Sequence, residues 1–244
     1  MINLNNHQIV SKNEWIKARK VLLQKEKEFT ELRDQLSQQR RDLPWVAVDK
    51  EYVFDGPNGK QNLSDLFDGR SHLIVYHFMY GPNWDAGCPS CSFWADNFND
   101  IIVHLNQRDV TMIAVSRAPY NKIDAYKKRM GWDFNWVSSF DTDFNYDYFV
   151  SFTSEELTKK KAFYNFILQD PRISDREGVS VFYKDPSGKI FHTYSTYERG
   201  LDILNTAYNY LDLLPKGRDE DGYEFPMTWV RRHDEYNKNN GVDV

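Results

Sequence analysis

The order of apolar segments in this 244-residue chain points to a three-layer α/β/α sandwich around a mixed sheet. Two apolar runs of strand length, LIVYHFMY at 73–80 and VTMIAVS at 110–116, are each followed by a helical pattern. Runs that are apolar throughout suit strands buried on both faces, and their alternation with helices implies parallel pairing. A hairpin pattern, GVSVFYKDPSGKIFHTYST, comes later and brings antiparallel strands into the same sheet.

At the N-terminus, Ser11-x-x-Glu14 is a capping box that opens a helix running to about Arg41. Trp15, Leu22, Phe29 and Leu36 recur every seven residues. Ala18 and Leu32 take the companion apolar position, which Lys25 interrupts. This N-terminal helical extension, residues 1–43, is expected to pack on its own domain; the other reading is a homodimer through the helix. Pro44 ends it.

A domain spanning 44–214 follows. WVAVDKEYVFDGPNGKQNL alternates around Gly56, Pro57 and Gly59 as a hairpin does, and LSDLFDG reads as a short helical turn. PSCSFWADNFNDIIVHLNQ and NKIDAYKKRMG read as helices, NWVSSF as a short strand. Between Phe140 and Gly178 the alternation stops. That stretch carries Phe140, Phe144, Tyr146, Tyr148, Phe149 and Phe152, and a capping box at Thr153-x-x-Glu156. It reads as an inserted aromatic segment at about 140–178. LDILNTAYNYLDLL places Leu201, Leu204, Tyr208 and Leu211 on one face of a single closing helix. Residues 215–244 read as a polar tail that wraps the surface.

Composition narrows the function. A net charge of −5 without a basic stripe argues against nucleic-acid binding. The longest apolar run, at 73–80, is far shorter than the roughly 20 residues of a membrane helix. The polar N-terminus has no signal-peptide h-region, so a cytoplasmic protein is expected. Thiols stay reduced in that compartment, and a close cysteine pair there is catalytic, redox-sensing or metal-binding more often than a structural disulfide.

The chain holds two cysteines, Cys88 and Cys91, in a C-x-x-C spacing between the first core strand and its helix. With Cys88 at the N-cap, Pro89 falls at N1, where its missing N–H had no helical partner. Cys91 then lies one turn along the same face, within disulfide reach. Unpaired amides and the positive end of the helix dipole favour a thiolate at Cys88. Cys88 is thus the expected nucleophile and Cys91 the resolving thiol. A structural zinc site needs four ligands; there is no second C-x-x-C, and a site would have to be assembled from distant residues among His7, His72, His77, His104, His192 and His233. Inert thiols remain an alternative. The peroxidase pattern P-x-x-x-[TS]-x-x-C fails, with Gly81 and Asp85 before Cys88, and Trp84 and Cys88 before Cys91. The order β-α-β-α, insertion, β-β-α, with the cysteines at that junction, is thioredoxin-like.

The stretches YHFMYGPNWDAGCPSCSFWADNFN, VSRAPYNKIDAYKKRMGWDFNWVSS, DFNYDY, FHTYSTYERGLD and WVRRHDEY, spread over residues 12–237, carry a resemblance. The chain resembles a mainly bacterial thioredoxin-like family, domain of unknown function 899, labelled as predicted dithiol-disulfide oxidoreductases. The resemblance implies a thioredoxin-like fold and dithiol chemistry at Cys88 and Cys91. The intervening Pro89-Ser90 differs from the Gly-Pro of thioredoxins. A proline directly after the first cysteine is similar to glutaredoxins, which resolve glutathione mixed disulfides. At the place of thioredoxin's cis-proline the sequence has Ser180, flanked by Val179, which is expected to set a hydroxyl near Cys88. Thioredoxin's buried carboxylate has no counterpart. His77 is a candidate proton carrier there, or else a satisfied core histidine.

Three further expectations concern the site. Arg117 follows the second core strand, at the edge where α/β folds bind ligands. It would stabilise a thiolate or an anionic substrate, or form a surface ion pair. Trp84 is expected to shield the pair, and Trp94 to be core. The aromatic insertion is expected to cover the site as a lid. The partners implied are a disulfide or oxidised-thiol substrate and a cellular thiol reductant, with no metal and no cofactor. The competing reading is a binding or assembly module with non-catalytic thiols, for which Cys88 would be fully buried without an opening.

Overall fold

A computed structural model describes residues 7–236. The ends of the extension and of the tail, residues 1–6 and 237–244, lie outside the described residues. The chain begins with α1 (Lys12–Arg41), followed by β1 (Val46–Ala47), β2 (Val53–Gly56), β3 (Gly59–Asn62) and β4 (His72–His77). Next come α2 (Pro89–Phe98), α3 (Ile102–Asn106), β5 (Val110–Ser116), α4 (Tyr120–Met130) and β6 (Asn135–Ser138). The aromatic stretch holds α5 (Phe144–Asp147), α6 (Ser154–Lys159), β7 (Ala162–Tyr164) and β8 (Ile167–Gln169). β9 (Gly178–Lys184), β10 (Ile190–Tyr197) and α7 (Thr206–Leu211) complete the domain.

One eight-stranded sheet organises the chain in the order β1-β10-β9-β4-β5-β6-β2-β3. β4, β5 and β6 are parallel, and β9, β10 and the β2–β3 hairpin run antiparallel to their neighbours. This is the mixed α/β, thioredoxin-like arrangement anticipated from the element order. Alternation along β4 sends Tyr76 to one face of the sheet and Val75 and His77 to the other. The Tyr76 face is covered by α2, α4 and α7, through Trp94, Phe98, Ile123, Tyr126 and Tyr208. The Val75 face is closed by shorter pieces, a 3-10 turn at Asp65–Phe67 and α5, which contribute Phe67, Phe144 and Tyr148.

Three expectations change. The closing segment is not one helix: it is a 3-10 stretch, Glu198–Leu204, and then α7. Asn205 is buried between them and its side chain accepts from the Tyr208 amide, which restarts the helix. The segment 89–107, expected as one helix, breaks into α2, a 3-10 turn at Asn99–Ile101 and α3, while the inserted aromatic stretch adds Phe144 and Tyr148 to the core of one sheet face. Helix α1 forms with the expected capping box, but it does not pack on its domain: none of its residues is buried. No helix among the described residues is long and apolar enough to cross a membrane.

His77 lies wholly buried beside the rings of Phe144 and Tyr148. Its Nε2 is hydrogen-bonded to Ser180 Oγ (2.8 Å), Ser180 to Ser195 Oγ (2.8 Å), and Ser195 to His192 Nε2 (2.7 Å). Nδ1 has no partner. Burial, with the neighbouring His192 adding to it, lowers the imidazole to about 3, so the unfolded chain takes up a proton that the folded one refuses. Stability from this group is therefore full above pH ~6.5 and is lost as pH falls toward 3. Denaturant titrations between pH 7 and 5 should show the unfolding free energy falling with acid. His77→Phe should remove up to about 1.4 kcal/mol per pH unit of that slope. An unchanged slope would contradict the account.

Candidate active site

The site is built where β4 hands over to α2. Cys88 is the N-cap residue (φ −56°, ψ 131°) and Pro89 the first helical residue. The Cys88 amide donates to the Met79 carbonyl (3.0 Å), which fixes the loop end against the strand end. Gly87 is required here. A Cβ at this position would sit 2.7 Å from Phe78 Cε1 and 2.8 Å from Tyr126 Cε1. Two cations pin the loop's carbonyls. Lys122 Nζ of α4 donates to Pro82 (3.0 Å) and Trp84 (3.1 Å), and Arg232 of the tail donates through Nη2 to Gly87 (2.8 Å).

The two thiols are free and unlike. Cys91 is buried, and the Met79 amide donates to its sulfur at 3.4 Å. Burial pushes its thiol well above the ordinary value, and the adjoining Cys88 sulfur adds to this. Cys88 is half-buried. Its sulfur closes no formal cap bond. Even so, its thiol is pulled down to about 7. The main cause is the hydrogen bond from the Cys91 thiol, and the backbone amides of Cys91 and Ser90 add to it, while burial and the Glu177 carboxylate push the other way. One cysteine is thus a thiolate near neutrality and its neighbour holds its proton.

Cys88 and Cys91 both line a cleft of about 1160 Å3. Ser90, Met79, Tyr76 and Trp94 line its floor; Tyr76 also touches the Cys91 sulfur. The tail forms the facing wall through Tyr223, Phe225 and Met227. It is held there by Glu220, which accepts from Tyr208 Oη (2.7 Å), the Met227 amide (3.0 Å) and Trp229 Nε1 (2.7 Å).

Several expected members of the site lie elsewhere. Ser180 pairs with Val75 in the sheet and joins His77 on the face opposite the cysteines, so no Ser180 hydroxyl lies near Cys88 and His77 has no path to the sulfurs. Val179 is on the cysteine side, packed in that core. No peptide bond among the described residues is cis. The residues of this segment that line the cleft with the cysteines are just upstream of β9, Arg176 and Glu177, and the Glu177 charge is felt at both sulfurs. Strand alternation held the signal: a residue facing α2 must share parity with Val179, not with Ser180.

Arg117 does not line the cleft. It forms a bidentate pair with buried Asp175 (Nε–Oδ1 and Nη2–Oδ2, both 2.7 Å) and donates to Tyr146 Oη (2.6 Å). Trp84 packs against the same core as Cys91 without lining the cleft; Trp94 is core, as expected, and also lines it. The aromatic lid is not there. Of the inserted stretch, Ile173, Arg176 and Glu177 reach the cleft, and the covering wall is the tail. Among the described residues no group of three His, Cys, Asp or Glu side chains is placed to hold a metal ion.

Fold and site together define a thioredoxin-like chain with a cysteine pair at the start of a core helix. The chain belongs to the family described as "Bacterial protein of unknown function (DUF899)", which matches residues 4–236. No curated protein matches it. Among solved structures it is similar to the bacterioferritin comigratory protein of Xanthomonas campestris, at 13% identity over 68% of this chain and 99% of that one, with a TM-score of 0.43. It is also similar to peroxidoxin BcpB of Mycobacterium tuberculosis (12% identity, 64% and 85%, TM-score 0.39). A third is the mitochondrial 2-cys peroxiredoxin of Plasmodium falciparum (17% identity, 74% and 97%, TM-score 0.39). Identities this low leave the chemistry to be argued from the residues.

The Arg117–Asp175 pair is deeply buried, with side-chain exposures of 14% and 3%. Arg117→Met should lower stability by about 3–5 kcal/mol, because it strands the Asp175 charge. Chemical denaturation measures this, and a loss below about 1 kcal/mol would contradict the reading.

Proposed function

We propose that this protein is a thiol-disulfide oxidoreductase. The observation that carries the reading is the unequal pair: a Cys88 thiol lowered to about 7 at the cap of α2, opening on a cleft, beside a buried Cys91 thiol that stays protonated. The non-catalytic module would have Cys88 closed off, whereas its sulfur has an approach.

In the first step the Cys88 thiolate attacks one sulfur of a disulfide. A mixed disulfide forms and one substrate thiolate leaves. That leaving thiolate, or water, accepts the Cys91 proton. The Cys91 sulfur then attacks Cys88, closes the internal disulfide and expels the second substrate thiolate. The substrate gains two electrons and the pair loses two. A cellular thiol restores the dithiol by the reverse exchange. The attacking thiol's pKa near ambient pH is the favourable one for such exchange.

Alkylation of the reduced protein by iodoacetamide should rise with pH through a midpoint of about 7 and modify Cys88 first. Cys91→Ser should leave mixed disulfides on Cys88 that can be recovered from cell extract, and Cys88→Ser should recover none. A midpoint at the ordinary thiol value together with no recovered adduct would sink the proposal.

A further inference from the structure

The cleft's charges bear on which disulfide can use it. Two arginines reach in, and each is shared by two carboxylates. Arg176 meets Glu198 (2.8 Å) and Glu177 (3.6 Å); Arg218 meets Asp202 (3.0 Å) and Asp212 (2.8 Å). The Arg176 set is left net negative, the Arg218 set is balanced once Arg199 shares Asp202, and with Asp219, Glu220 and Asp221 the lining holds seven carboxylates against four cations. The remaining cations on the wall, Arg199 and Lys216, are also paired, with Asp202 and Asp219 at 3.0 and 2.8 Å. Glu177 is the charged side chain whose field falls on both sulfurs. A thiolate formed at Cys88 adds to this negative field, and a cleft walled by protein concentrates it.

We infer that the cleft selects small disulfides carrying positive charge, such as amines set beside the sulfurs, and disfavours anionic ones. This rests on the thiol-disulfide reading and concerns the same site. It runs against the glutathione preference suggested by Pro89, since oxidised glutathione carries surplus carboxylates. Glu177 is the selecting residue: it lines the cleft together with Cys88, and its charge acts on both sulfurs.

The test uses three disulfides of similar size with the reduced protein at low ionic strength: cystamine (cationic), bis(2-hydroxyethyl) disulfide (neutral) and dithiodipropionate (anionic). Rates are divided by those of free 2-mercaptoethanol. The corrected rates should fall in that order, with cystamine about tenfold or more ahead of dithiodipropionate. Added salt should compress the spread, and Glu177→Gln should narrow it severalfold. Equal corrected rates, or dithiodipropionate fastest, overturn the selectivity and leave the thiol chemistry standing. No reaction with any of the three overturns both.

A separate observation concerns α1. Its heptad residues Trp15, Leu22, Phe29 and Leu36 are 58%, 54%, 65% and 44% exposed, and Leu32 is 61% exposed. These residues occupy a and d positions of a heptad seam, and the flanking g and e charges say how a second copy would lie. In a parallel pair, each g residue meets the e residue five places on. Glu14 then faces Arg19 of the second copy and Glu28 faces Arg33 of the second copy, each twice by symmetry. In a fully overlapped antiparallel pair, Arg19 would face Arg33, and Glu26 and Glu28 would each face themselves.

We propose that α1 forms a parallel, in-register coiled coil with a second copy of this chain. In one copy Arg19 leans on Glu26 of its own helix (2.7 Å), a surface pair readily exchanged. The full chain should sediment as a dimer at micromolar concentration, and Leu22→Glu with Phe29→Glu should make it a monomer with an unchanged circular-dichroism melt of the domain. Arg33→Glu should weaken the dimer roughly tenfold in the parallel arrangement. Tighter association of Arg33→Glu, a monomeric wild type, or a dimer indifferent to the Leu22 and Phe29 changes would overturn the proposal.

Discussion

Helix α2 begins at Pro89, and its first turn exposes amide groups that no helical carbonyl can satisfy. The placement of that helix start governs the rest of the site. Cys88 is simultaneously the last residue of the loop and the cap of the helix, so its sulfur lies beside the unpaired amides. The Cys88 amide is spent on the Met79 carbonyl, Gly87 passes between Phe78 and Tyr126 where a side chain would not fit, and Arg232 holds the Gly87 carbonyl from the tail. The tail that contributes Arg232 also walls the cleft, so the segment that positions the cap is the one that limits access to it.

The sheet separates two kinds of buried polar chemistry. On the α2 face, Tyr76, Cys91 and Cys88 meet around sulfur, with Glu177 at the edge. On the opposite face, His77, Ser180, Ser195 and His192 form a hydrogen-bonded row beneath Phe144, Tyr148 and Phe182. The row's imidazoles are lowered by burial, so it costs stability in acid without touching the thiols. Asp175 anchors on Arg117, while the next two residues, Arg176 and Glu177, turn into the cleft.

Much of this was legible in the residues. The strands at 72–77 and 110–116, the α1 and α6 capping boxes, and Cys88-Pro89 at a helix start all follow from local pattern, and all are present. What was not legible depends on long-range packing. Leu201 to Leu211 has helical spacing, yet Asn205 interrupts it from a buried position that sequence does not reveal. Ser180 looked like the residue opposite Cys88, but period-2 alternation turns it away, and the place in the cleft falls to Glu177, whose charge gave no hint that it would act on sulfur. The aromatics of 140–178 suggested a lid because their burial partners, Phe54 and Tyr197 among them, lie far away in sequence.

The central claim is that Cys88 and Cys91 exchange two electrons as a unit. Equilibrating the protein against glutathione buffers of graded potential, then counting free thiols by mass, tests it most directly. The account predicts one two-electron transition within the range of dithiol enzymes, about −120 to −270 mV, losing two hydrogens from Cys88 and Cys91 together. Two thiols that stay free across that whole range would contradict it.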